Sequence, residues 1–148
     1  MELIDFNLTE REQIKAFIGE LESEGLIEKG VVDATIIAKT LNHPLFDEVR
    51  AGKCLREQEF IYYAPACEVI AGAEASDRTL VQGVKDLVVE GESNLLIDYK
   101  VSGGSTETLR ERYRTQIALY ARAYEEMTGR KLSRKAVFVL NQGEVIEF

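Results

Sequence analysis

Residues 79–101, TLVQGVKDLVVEGESNLLIDYKV, hold two β-rich runs on either side of a turn. Val, Leu and Ile crowd 79–90 and 94–101, and Gly91-Glu92-Ser93-Asn94 supplies the turn-forming residues between them. The spacing predicts an antiparallel hairpin. With its turn centred on Glu92, Asp86 faces Asp98 and Val84 faces Lys100. Side chains alternate along a strand, so Asp98 and Lys100 share one face with Asp86. Two carboxylates facing each other repel, and their neighbours Leu87, Val88, Val89, Leu95, Leu96 and Ile97 make their charge more costly.

A divalent cation and the Lys100 ammonium would offset that charge. Two carboxylates, water and a phosphate oxygen make a typical Mg²⁺ environment. A lysine beside the ion can position or deprotonate a water, or stabilise charge that develops on a phosphate. The plainer alternative is a hairpin with a wet face, on which Asp98 and Lys100 form a solvated pair.

Downstream, Gly103-Gly104-Ser105 breaks the strand pattern and leads into a long helix over 106–128, closed by Gly129. Arg112, Gln116 and Tyr120 follow one another at helical spacing and form one stripe, with Arg110 and Arg114 on neighbouring faces. Arg, Gln and Tyr all donate hydrogen bonds to phosphate oxygens. Gln116 lies beside the apolar residues Tyr113, Ile117, Tyr120 and Tyr124 and needs a polar partner. Residues 135–140, KAVFVL, read as a strand, and Asn141-Gln142-Gly143 turns into a last short strand, VIEF.

Upstream, 55–63, LREQEFIYY, reads as a strand. Residues 8–28 read as a helix, with Thr9 and Glu12 in capping-box spacing ahead of Ile14, Phe17, Ile18, Leu21 and Leu26. A second helix covers 31–41, and a third starts at Pro44 and runs to about Arg50, with Gly52 behind it. Helices, three strands, a long helix and one or two strands make an α/β or α+β domain. The expected division is one domain over 1–148, with a helical segment over 1–52 and a core over 53–148.

The chain has 148 residues and a net charge of −8. That balance argues against a free-standing, high-affinity DNA binder, and leaves room for an enzyme with a small cation-loaded site. The acidic start MELIDFNLTERE has no apolar core, and no stretch is long and apolar enough to cross a bilayer, so the expectation is a cytoplasmic protein. Cys54 and Cys67 are too few for an iron–sulfur cluster, lack zinc spacing, and are expected to be small buried residues.

Gln82-Gly83-x-x-Asp86, Asp98-Tyr99-Lys100 and Tyr113-x-x-Gln116-x-x-x-Tyr120-Ala121, in this order, resemble the RecB-like branch of the PD-(D/E)XK nucleases. The likeness is greatest to the C-terminal nuclease domain of AddA-type helicase–nucleases, and it extends from about residue 40 to the end. Arg56-Glu57-x-x-Phe60 resembles the family's R-E-x-x-F strand. The resemblance implies a restriction-endonuclease-like core: a central mixed sheet flanked by helices, with an N-terminal helical segment. It implies Mg²⁺ or Mn²⁺ held by Asp86, Asp98 and the Tyr99 carbonyl, Lys100 as catalytic lysine, and Gln116 and Tyr120 as organisers of the site and the DNA strand. Arg112 and Arg114 are candidate DNA contacts. It further implies a DNA exonuclease role in double-strand-break resection and recombinational repair, an AddB-like partner, and ATP-binding helicase domains upstream in the same polypeptide. The alternatives are a stand-alone RecB-like nuclease and a non-catalytic binding module. Two departures stand out. Val101 replaces the family's Thr after the lysine, and no G-T-x-x-H helix supplies the metal-binding histidine. His43, in Asn-His-Pro-Leu-Phe, matches a non-ligand part of the family, so the chain reads as a fragment cut just after that histidine helix. Glu57 reads as a structural partner of Arg56.

Overall fold

A computed structural model describes residues 1–148. Three helices come first: α1 (Arg11–Ser23), α2 (Ala34–Leu41) and α3 (Leu45–Ala51). Strands β1 (Lys53–Pro65), β2 (Arg78–Glu90) and β3 (Leu95–Lys100) follow, then α4 (Thr106–Thr128), β4 (Arg134–Val139) and β5 (Glu144–Glu147). The five strands form one sheet in the order β1-β2-β3-β4-β5. All neighbours are antiparallel except β3 and β4, which are parallel and joined through α4. This is a mixed sheet with helices on both faces, an α+β fold consistent with a restriction-endonuclease-like core.

Alternation along the strands divides the core in two. Leu87, Val89, Leu95, Ile97 and Phe138 pack with Ile14, Ile18, Leu41, Leu45, Phe46 and Val49 of α1–α3. Val88, Leu96, Val137 and Val139 point the other way, against Leu109, Ile117, Ala121 and Tyr124 of α4. Tyr124 and Ile117 are therefore core, as helical spacing implies. Helix α4 begins at Ser105, whose hydroxyl accepts from the Thr108 N–H, and ends at Gly129 in the left-handed conformation at φ 69°.

Several local expectations shift. Helix α1 covers 11–23 rather than 8–28, and its N-cap is Glu10 with no side-chain bond, so the Thr9–Glu12 capping box does not form. Gly25 at φ 72° lies just beyond its end. Helix α2 starts only at Ala34, because the Asp33 carboxylate accepts from the Thr35 N–H and fixes the start there. Cys67 is exposed: the single 3₁₀ turn Ala66–Glu68 buries Ala66 and turns Cys67 outward. Cys54 is half-buried, and both thiols are free.

Candidate active site

The hairpin register is the one its turn predicts: Val89 pairs with Leu95, Val88 with Leu96, and Leu87 with Ile97. The ladder then stops. At the next position Asp86 and Asp98 do not form a ladder pair, and β2 separates from β3. Val84 does not face Lys100; it pairs with Glu59 of β1 and is exposed.

The cause lies in the β1–β2 pairing. That ladder runs from Lys53↔Glu90 to Pro65↔Arg78 with one gap, between Arg56↔Leu87 and Gln58↔Lys85. The gap falls at Glu57 and Asp86. Leu55 and Phe60 both face α4 although an odd number of residues separates their positions, so alternation breaks once between them. Val88 and Lys85 show the same break on β2, Lys85 lying over the Phe60 ring. Glu57 is the one non-glycine residue at positive φ, at 47°. The paired kink bends the outer ribbon away from β3 and opens a fork.

Asp86 sits in that fork. Its Oδ2 accepts the Tyr99 N–H at 2.7 Å, so a side chain takes over a bond that a strand backbone would have made. Asp98 lies on the α4 face, 1% exposed. Its Oδ1 accepts from Gln116 Nε2 at 3.4 Å, and the same Nε2 donates to the Tyr120 hydroxyl at 2.8 Å. Its Oδ2 is 2.5 Å from Lys100 Nζ. That contact is an ion pair without hydrogen-bond alignment, which leaves Oδ2 buried with no donor aimed at it. Burial pushes the Asp98 carboxyl above its ordinary range; the nearby Lys100 pulls it down and Asp86 pushes it up again. Lys100 Nζ also lies 5.6 Å from the centre of the Tyr113 ring.

Asp86, Tyr99, Asp98, Lys100, Gln116 and Tyr120 are thus gathered by the β2–β3 fork and one face of α4. Arg112 reaches Ser102 Oγ at 3.0 Å, at the exit of β3. Arg114 turns to solvent and pairs with Glu111 on its own helix, so it is not part of this group. His43 is not either: its ring packs edge-on against Phe138 on the α1–α3 face, and its Nδ1 accepts from the Leu45 N–H. Arg56 binds the carbonyls of Glu2 and Ile4 rather than Glu57. Glu57 stays exposed opposite Asp86, its carboxyl pushed up by partial burial and then by Asp86 and Glu2. Lys85, which the sequence pattern did not single out, is 2% exposed on the α4 side. A lysine in a run of alternating apolar residues was the signal for it.

Two carboxylates, one with a buried oxygen lacking a donor, fit a hard divalent cation that keeps water and substrate oxygens in its remaining positions. No group of three or more His, Cys, Asp or Glu side chains converges anywhere in the chain.

No protein-family model matches the chain. Individual proteins do. The AddA ATP-dependent helicase/nuclease subunit of Acetivibrio thermocellus is 36% identical over 93% of the chain. Its namesakes from Alkaliphilus oremlandii and Exiguobacterium sibiricum are 36% and 28% identical over 88% and 99% of it. The chain is homologous to a segment of these proteins. It spans only 12%, 11% and 13% of their respective lengths. No helix of the chain is long and apolar enough to cross a membrane.

Proposed function

We propose that this chain is the nuclease module of an AddA-like helicase–nuclease, hydrolysing DNA phosphodiester bonds with Mg²⁺ or Mn²⁺. The observation that carries the reading is Asp98: a buried carboxylate with an oxygen that no donor satisfies, next to a lysine and across a strand fork from a second carboxylate. An ordinary solvated hairpin face would not bury that group.

In this reading Asp86, Asp98 and the Tyr99 carbonyl hold the cation. The cation, when bound, polarises a phosphate oxygen and lowers the pKa of a bound water. Lys100 Nζ holds that water or donates to the phosphate as negative charge builds on it. Gln116 Nε2, bonded to both Asp98 Oδ1 and Tyr120 Oη, fixes the carboxylate's rotation. Tyr99 N–H does the same for Asp86. Arg112, at the mouth beside Ser102, contacts the DNA backbone.

The names of the relatives support a place within a larger polypeptide that carries an ATP-binding helicase upstream, acts with an AddB-like partner, and works as an exonuclease in double-strand-break resection and recombinational repair in the cytoplasm. The chain's acidity supports delivery of DNA by such a motor rather than capture from solution. A second reading, a nuclease fold kept as a binding module, draws on one observation: no imidazole or third acid joins the two aspartates.

The deciding experiment is degradation of linear DNA with Mg²⁺ or Mn²⁺, using the chain and, where the gene encodes more protein upstream, the whole gene product. Lys100→Ala serves as the control. Cutting that Lys100→Ala abolishes supports the proposal. Wild-type protein that cuts no faster than Lys100→Ala in either form would sink it in favour of the binding module.

A further inference from the structure

Lysine is almost never fully buried without a partner. Lys85 breaks that rule. It is 2% exposed, yet no carboxylate lies within ion-pair distance of it and no acceptor takes a hydrogen bond from its ammonium. The one favourable contact is with the face of Phe60, with Nζ 4.6 Å from the ring centre. The ammonium is not among the polar atoms sealed from solvent. A strongly hydrated cation has been drawn into an aromatic corner, and its donors still point at nothing.

The corner adjoins the acidic fork. Phe60 meets Tyr120 edge-on with centroids 5.3 Å apart, and Tyr120 is tied through Gln116 to Asp98. Lys85 is also the chain neighbour of Asp86, and the kink at Glu57 and Asp86 is what turns it onto the α4 side. A continuous line therefore runs across one face: Lys100 and Asp98, then Gln116 and Tyr120, then Phe60 and Lys85. Two cations stand at its ends. One is paired with an acid; the other is free.

We propose that Lys85 is a second backbone contact of the bound strand, receiving a non-bridging oxygen of a phosphodiester adjacent to the one held at Asp86 and Asp98. The inference rests on the nuclease reading for its ligand, and on the unpaired, buried lysine for its location. The aromatic pair beside it excludes water from the contact, and the missing counter-charge is supplied by the ligand. Lys85 takes no part in bond breaking.

The test measures binding without turnover: anisotropy of a labelled oligothymidylate with Ca²⁺ in place of Mg²⁺, across about 50–200 mM salt. Wild type, Lys85→Met and Lys85→Arg are compared, with circular dichroism and thermal melts to establish that each is folded. One lost contact to a single strand makes the slope of log K against log salt shallower by about 0.7, equivalent to about five-fold weaker binding near 0.1 M salt. Lys85→Met is expected to show that change with an unaltered or raised melting temperature, and Lys85→Arg to keep the wild-type slope. Equal affinity and slope in wild type and Lys85→Met overturn the proposal. So does an equal loss in Lys85→Arg, which marks a packing effect, and so does a wild type that does not bind. The nuclease reading is judged separately by Lys100-dependent cutting. Cutting with a Met variant that binds as wild type removes only the Lys85 contact. A slope change without cutting keeps Lys85 as an anion contact and removes the nuclease.

Discussion

Gly83 lies where β2 passes under the Phe60–Tyr120 pair, and Gly83→Ala probes how tightly that corner is built. A Cβ at this position would stand 3.0 Å from Phe60 Cε1, 3.1 Å from its Cζ and 3.6 Å from Tyr120 Cε1. Phe60 is 3% exposed and held between Lys85 and Tyr120, so the ring has little room to retreat. Overpacking of this kind costs about 1–3 kcal/mol. Against it, replacing glycine lowers the entropy of the unfolded chain and returns about 0.4–1 kcal/mol. The net expectation is a loss of about 0.5–2.5 kcal/mol. For a chain of this length each kcal/mol lowers the melting temperature by about 3 °C. Urea denaturation with an unchanged m-value measures the loss directly. The same substitution in a Phe60→Leu background separates the cause. If the clash is with the ring, the cost shrinks there, with a coupling of about 1 kcal/mol. A Gly83→Ala protein as stable as wild type, or equal costs in both backgrounds, would refute the packing argument and with it the claim that Phe60 clamps Tyr120.

Three further outcomes follow from the same geometry. The Asp98 carboxyl is raised above its ordinary 3.8, so its stabilising contribution is complete below that value and is lost as pH rises through the folded-state value. Asp98→Asn should therefore gain stability relative to wild type between the ordinary carboxyl range and neutral pH, since Lys100 is exposed enough to rehydrate; melts that show no pH-dependent gain count against this. Titration calorimetry of Mn²⁺ should give binding heats with wild type and none with Asp86→Ala or Asp98→Ala, and equal heats in all three would remove the carboxylates as ligands. Glu57→Gly should stabilise the fold by up to about 2 kcal/mol, because strain of about 1–3 kcal/mol at φ 47° outweighs the entropic penalty of glycine of about 0.5–1 kcal/mol. A destabilised Glu57→Gly protein in chemical denaturation would mean that the Glu57 side chain holds the kink.

What the sequence revealed depended on how local the cause was. The register of β2 on β3 was legible because a four-residue turn fixes it, and Leu87↔Ile97 follows from Gly91-Glu92-Ser93-Asn94 alone. Helix α4 was legible to the residue because Ser105 and Gly129 mark both ends. The α1 boundary was not, since the Thr9–Glu12 spacing is compatible with a cap that the chain leaves unused. The kink at Glu57 and Asp86 was invisible: glutamate gives no hint of positive φ, and β1 meets β2 across a connection whose pairing no short turn dictates. That single omission explains the other misplacements. It is why Val84 does not reach Lys100, why Asp86 binds a backbone N–H rather than lying level with Asp98, and why Lys85 turns inward.

The kink also answers the repulsion that the hairpin pattern raised. Had the ladder continued, two carboxylates would face each other at about 5 Å, which at an effective dielectric of about 20 costs roughly 3 kcal/mol. The strain at Glu57 is of the same order, about 1–3 kcal/mol. A fold that takes the strain avoids the repulsion, gains the Tyr99 bond for Asp86, and leaves the Asp98 Oδ2 without a donor. The two outcomes are close in energy but not in consequence. Continuous pairing closes the sheet over both acids, whereas the kinked ribbon leaves a fork with an acid on each side and a lysine at its end. Stability alone does not choose between them. A ligand that binds only the open fork would, by lowering the free energy of that state, and this is the physical reason to look for a cation there rather than to treat the break as an irregularity of the strand.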